Sequence, residues 1–188
     1  MLTTVLLVFF AVLAVIALWL AGGYNRLVTL RNNVRNAWSQ IDVQLKRRHD
    51  LIPNLVETVK GYAGHEKETL ENVTRARAQA VSADGVGQQA AAEQGLTAAL
   101  GRLMLVVEQY PDLKANQNFL ALQEELTSTE NKISFSRQSY NDIVMFYNTA
   151  TEKVPTNVIA GMFQFKPEEF FELEDQAQRE APKVSFSS

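Results

Sequence analysis

The two histidines, His49 and His65, are the side chains of this sequence best suited to moving a proton or holding a metal near neutral pH. Neither stands in H-E-x-x-H, and neither has a glutamate three residues before it. The Glu-x-x-His pair that di-iron helix bundles use is therefore absent. His65 with Glu66 reads as a surface pair. The chain has no cysteine, which removes disulfides, thiolate metal sites and a cysteine nucleophile together. No G-x-S-x-G occurs, and "ADGVGQ" (residues 83–88) lacks the Lys-Ser/Thr that completes a phosphate-binding loop. The densest polar set is "TENKISFSRQSYND", residues 129–142, with Glu130, Asn131, Arg137, Tyr140 and Asn141. Catalysis needs such groups to converge in a concave pocket.

What must position them is a helix. Phe119, Leu122, Leu126, Thr129, Ile133, Ser136, Tyr140, Ile143, Tyr147, Ala150 and Val154 recur at steps of three and four and stop at Pro155. Thr129, Ser136 and Tyr140 fall on this stripe; Glu130, Arg137 and Asn141 flank it. Polar groups in a helical seam set register and partner choice at some cost in stability. We assign the set, with Arg48, to a polar seam used in assembly. Arg48 lies on the apolar stripe of an earlier helix and needs a carboxylate, for which Glu130 is suited. The surrounding "KRRH" (residues 46–49) reads as a solvated face.

That earlier stripe is Leu27, Leu30, Val34, Ala37, Ile41 and Leu45, continuing as Ile52, Leu55, Val59 and Tyr62. Pro53 interrupts it, so a kink, or a full break restarted by Asp50, is expected between His49 and Pro53. "SADGVG" (residues 82–87) is a loop. An alanine-rich helix follows with Leu96, Leu100, Leu103, Val107 and Tyr110. Pro111 ends it, and Asp112 is placed to cap the next element. No strand-like alternation of useful length appears. The fold class is all-α: an N-terminal transmembrane helix, then a long antiparallel bundle of three to four helices.

Residues 5–21, "VLLVFFAVLAVIALWLA", carry no polar side chain. With their neighbours they reach the ~20 residues that cross a bilayer. Val5, Phe9, Phe10 and Ile16 would face lipid, and Trp19 and Tyr24 would sit at the interface. A cleaved signal fits poorly, because nothing basic precedes the run and its apolar core is too long. Arg26, Arg31 and Arg35 follow it, with no acid before Asp42. This places the large C-terminal part in the cytoplasm and a short N-terminus outside. A net charge of −3 and a pI near 5.5 argue against nucleic-acid binding. The segments are an anchor at 1–24, a bundle at 25–165 and an aromatic, acidic segment with a disordered tail at 166–188. Ile159, Met162, Phe163, Phe165, Phe170 and Phe171 form an aromatic cluster. It could pack on the bundle base, mediate self-association or touch the membrane.

Residues 24–66, beginning "YNRLVTLRNNVRNAWSQIDVQLKRRHDLIPNL", are very similar to the LemA family signature, as are residues 110–142, Tyr147–Asn148 and the Ala-Gly-Met-Phe stretch before Phe170–Phe171. The resemblance implies a bacterial single-pass inner-membrane protein with an extended helical domain, and carries over no catalytic residue. Some relatives are associated with membrane remodelling in magnetosome formation, and some genes lie beside membrane metalloproteases. We therefore expect a non-enzymatic, membrane-anchored helical scaffold without cofactor. It would self-assemble as a homo-oligomer with coiled-coil character and organise or remodel the lipid bilayer. The alternative is a monomeric adaptor recruiting another membrane protein, such as a metalloprotease.

Overall fold

The computed structural model describes residues 1–172. Six helices follow one another: α1 (Leu2–Lys60), α2 (Lys67–Ser82), α3 (Val86–Val107), α4 (Pro111–Lys114), α5 (Gln117–Glu152) and α6 (Thr156–Met162). Among the described residues there is no strand, so the fold is all-α as expected. Residues 173–188 lie outside the described residues, and with them the expected disordered tail. The chain divides into two compact units, residues 1–48 with 126–170, and residues 49–125 with 171–172.

In the first unit α1 and α5 run antiparallel. The Trp38 ring lies 5.6 Å from that of Tyr140. Ten residues further along α1, Arg48 meets Glu130, ten residues back along α5. Leu27, Val34, Ala37, Ile41 and Leu45 are buried at the expected spacing, with Ile133, Tyr140, Val144 and Tyr147 from α5. Fully burying one such aliphatic side chain stabilises by roughly 1.5–3 kcal/mol. Two stripe assignments change. Val144, not Ile143, takes the buried position, one turn after Tyr140 and three residues before Tyr147. Val154 is exposed, because α5 has already ended at Glu152.

In the second unit α2 and α3 form a hairpin joined by residues 83–85, with Gly85 at a φ of +81° that suits a residue without Cβ. The unit's segment of α1 adds Ile52, Leu55 and Val59 to the core. Ala63 is buried where the stripe placed Tyr62, which is exposed. The expected cap at Asp112 is corrected too. Asp112 falls in the first turn of the four-residue α4. The side chain that caps α5 is Asn116, whose Oδ1 accepts from the Asn118 and Phe119 amides at 2.9 and 3.1 Å.

No break occurs at Pro53: α1 is helical through it, and Asp50 restarts nothing. Proline has no N–H to give the carbonyl four residues back. That carbonyl belongs to His49, and Arg77 Nε donates to it at 2.6 Å. A side chain from α2 thus replaces the missing rung, and Pro53 itself faces solvent.

Candidate functional site

The polar groups of α5 do not converge on one point. Glu130 and Asn131 are exposed, and Arg137 and Asn141 are half-buried. Arg48 and Glu130 are brought together at 3.3 Å, with Arg48 only 3% exposed and Glu130 50% exposed. The buried guanidinium thus meets a carboxylate that keeps much of its hydration, which lowers the desolvation cost of the pair. Tyr140 behaves differently from its neighbours. Its ring is in the core, and its hydroxyl donates to the Glu169 backbone carbonyl at 2.8 Å.

This bond belongs to a ladder. Tyr147 donates to the Lys166 carbonyl at 2.9 Å. Asn148 donates through Nδ2 to the Glu168 carbonyl and accepts the Glu168 amide on Oδ1, both at 2.9 Å. One carboxamide thereby satisfies both main-chain groups of Glu168, as a neighbouring peptide would in a sheet. Seven and eight residues along a helix return to the same face, so Tyr140, Tyr147 and Asn148 form a single clamp. They hold residues 165–170, a non-helical strap, by its backbone.

The strap is delivered by the end of α6. The Phe165 amide bonds to the Ala160 carbonyl at 2.9 Å and the Gln164 amide to the Gly161 carbonyl at 3.4 Å. This is a Schellman motif with Gln164 at φ +55°, where glycine is usual. The entry to α6 is tied as well. The Thr156 hydroxyl lies 2.7 Å from the Ala150 carbonyl and 2.8 Å from that of Lys153, at the end of α5.

Burial, reinforced by the negative charges of Glu168 and Glu169, pushes the Tyr140 phenol up to about 12. Burial and Glu168 also raise Tyr147, while Arg31 and Arg35 pull it the other way. Both hydroxyls therefore stay protonated donors far above neutral pH.

At α1 the strap and α6 meet the end of the apolar run. A Cβ on Gly23 would strike the Ile159 side chain, so the glycine is what admits α6. The Tyr24 ring lies 4.8 Å from Phe163 and 5.7 Å from Phe165, and the Arg31 guanidinium sits 4.9 Å from the centre of the Phe165 ring. The aromatic cluster accordingly splits. Ile159, Phe165 and Phe171 are buried and offer no interaction surface; Met162, Phe163 and Phe170 are exposed. Of the expected lipid-facing residues, Val5, Phe9, Phe10, Ile16, Trp19 and Tyr24 are all exposed. The start of α1 is long and apolar enough to cross a membrane, and its most apolar window is 0% buried.

Sequence reasoning missed the second unit's polar cluster. His49, read as part of a solvated face, is buried instead. Its Nε2 is 2.7 Å from Oε1 of the equally buried Glu93. Gln89 Nε2 donates to the same oxygen at 2.9 Å and lies 3.1 Å from the Ala80 carbonyl. With Arg77 on the His49 carbonyl, these bonds tie α1, α2 and α3 together inside that unit. The signal was present: His49 stands four residues after Leu45 and three before Ile52, and Glu93 three from both Ala90 and Leu96.

Residues 37–186 match the family model described as LemA family. The chain is 28% identical over 175 residues to Magnetosome protein MamQ 2 of Paramagnetospirillum magneticum, covering 79% of this chain and 64% of that protein. It is 27% identical over 174 residues to Magnetosome protein MamQ of Magnetospirillum gryphiswaldense, with the same coverage. It is 30% identical over 141 residues to Protein LemA of Metamycoplasma hominis, covering 74% of this chain and 64% of that protein. The chain thus spans a little under two thirds of the length of these curated relatives.

Proposed function

Because the chain belongs to the LemA family and is a membrane-associated helical protein, we propose that it is a non-enzymatic anchored scaffold that self-assembles and organises or remodels the bacterial inner membrane. The observation that carries this reading is an exposed apolar stripe on the first unit. Phe135 and Phe146, eleven residues and three turns apart on α5, share one face and both are exposed, Phe135 at 75%. The register fixed by Trp38–Tyr140 and Arg48–Glu130 puts exposed Val43 of α1 level with Phe135. Apolar residues repeated along a helix pair suit packing against another helix pair. The tyrosine of the polar seam is spent on holding the chain's own backbone, so the contact proposed here is made by the apolar stripe and not by Tyr140. The magnetosome names among the relatives support a role in membrane organisation.

In this reading the apolar part of α1 spans the inner membrane, with the N-terminus outside and the units in the cytoplasm. Arg26, Arg31 and Arg35 support that orientation. Digestion of the C-terminal part by protease added to intact spheroplasts would reject it. The alternative adaptor reading, with a membrane protein such as a metalloprotease as partner, draws on the groove lined by Gln44, Ser128, Asn131, Lys132, Phe135 and Ser136. That groove mixes hydrogen-bonding groups with an exposed ring. Light scattering and negative-stain microscopy of the full chain in mild detergent separate the readings. A closed oligomer whose mass falls in Phe135→Ser supports the scaffold. A monomer rejects it in favour of the adaptor, to be sought by cross-linking in native membranes. Stoichiometric metal on the purified protein would reopen an enzymatic reading.

A further inference from the structure

Among the described residues the outward side of α6 is left largely uncovered, with the Phe163 ring meeting Tyr24 at its edge. Ile159 and Ala160 are buried on its inner side, against Gly23 and the core. On the outer side Val158 is 56% exposed and Met162, one turn later, 62%. Val154 before the helix is 74% exposed and Phe163 after it 50%. A short surface helix does not gain stability by showing four large apolar side chains to water. The position of this face identifies what covers it. The apolar run of α1 ends at Ala21, and Gly23, on which α6 rests, is two residues on, about 3 Å at 1.5 Å per residue. Tyr24, whose ring touches Phe163, is one residue further.

We propose that the outer face of α6, formed by Val154, Val158, Met162 and Phe163, is a membrane foot that lies in the interfacial layer of the bilayer crossed by α1. The inference rests on reading the apolar run as spanning that bilayer. Where that run leaves the hydrocarbon, α6 is held against it, so its apolar side chains are level with the lipid headgroups and upper acyl chains. Aromatic and aliphatic groups are favoured at that depth. Lys153 beside the foot is exposed and would meet lipid phosphates. The Schellman turn and the clamp set the angle of the foot, because they fix the chain immediately after it.

The absence of cysteine makes the test clean. Single variants Val158→Cys and Met162→Cys of the full chain are labelled with an environment-sensitive fluorophore and reconstituted in vesicles. Leu13→Cys reports on the span and Asp84→Cys, in the α2–α3 connection, on aqueous exposure. The expected result is quenching at 158 and 162 by lipids with a shallow nitroxide and little by aqueous iodide, with the opposite pattern at 84. Iodide quenching at 158 and 162 equal to that at 84 overturns the foot. Protection from both quenchers also overturns it, because a protein partner then covers the face. If the probe at 13 escapes deep nitroxide lipids, the span itself is wrong and the foot falls with it; quenching there with none at 158 and 162 rejects the foot alone.

Discussion

Removing the Arg77 side chain should cost stability mainly because residue 53 is proline. The argument is local. In a regular helix the His49 carbonyl would accept the amide of residue 53; here it accepts Arg77 Nε at 2.6 Å. A hydrogen bond from a charged donor contributes about 1.5–3 kcal/mol, and an unmet buried acceptor costs a comparable amount. Arg77→Met should therefore destabilise by about 2 kcal/mol. In a Pro53→Ala background the alanine amide can reach the same carbonyl, and the loss should shrink to roughly 0.5 kcal/mol. The coupling between the two positions is then about 1.5 kcal/mol, well above the few tenths expected of independent sites. Pro53→Ala alone should be neutral or stabilising, since an interior proline costs about 3 kcal/mol in an isolated helix. Urea unfolding of the four proteins in mild detergent, followed by circular dichroism, gives the cycle. Additive losses would show that Arg77 does not stand in for the missing backbone donor.

Four further outcomes follow from the first unit. Asn148→Ala removes two bonds worth about 1 kcal/mol each, so the Glu168 amide should exchange with deuterium roughly 30-fold faster; unchanged exchange would mean the clamp does not hold the strap. The raised phenol of Tyr140 stabilises the fold below pH 10 and loses that contribution as pH rises from 10 towards 12. The unfolding free energy should fall over that window by at most roughly 2–3 kcal/mol, and by less in Tyr140→Phe. Glu130→Ala should destabilise more than Arg48→Met, because the first takes a carboxylate away from a buried cation while the second refills its space with apolar volume; the reverse order in urea titrations would refute this. Gln164→Gly should raise stability by about 1 kcal/mol by relieving a left-handed conformation, measurable as a higher thermal midpoint.

The features legible in the sequence are those written in side-chain period. The stripe of α1 from Leu27 to Val59, apart from the part-buried Leu30, and Ile133 and Tyr140 of α5 are buried as their spacing requires. Arg48 announced its need for a carboxylate by standing on such a stripe, and Glu130 supplies one. Two kinds of information were hidden. The spacing of Glu93 from Ala90 and Leu96 put it on the buried face but did not name its partner, and the same signal at His49 was masked by the charges beside it. The strap was hidden because Tyr140, Tyr147 and Asn148 bind carbonyls, which every residue carries, and an amide, which every residue but proline carries. The break considered at Pro53 does not occur for a related reason: the cost of a proline depends on whether some distant donor reaches the freed oxygen, and Arg77 is 24 residues away in the chain.

The clamp also bears on how freely its occupant can change. It recognises the carbonyls of residues 166, 168 and 169 and the amide of 168, and Pro167 occupies a position asked for no amide at all. No side chain of residues 166–169 takes part in these bonds. The clamp therefore reads direction and spacing rather than spelling. A different peptide of equal length, with any residue but proline at 168, would meet the same bonds, which makes this stretch a natural place to substitute a tag or epitope.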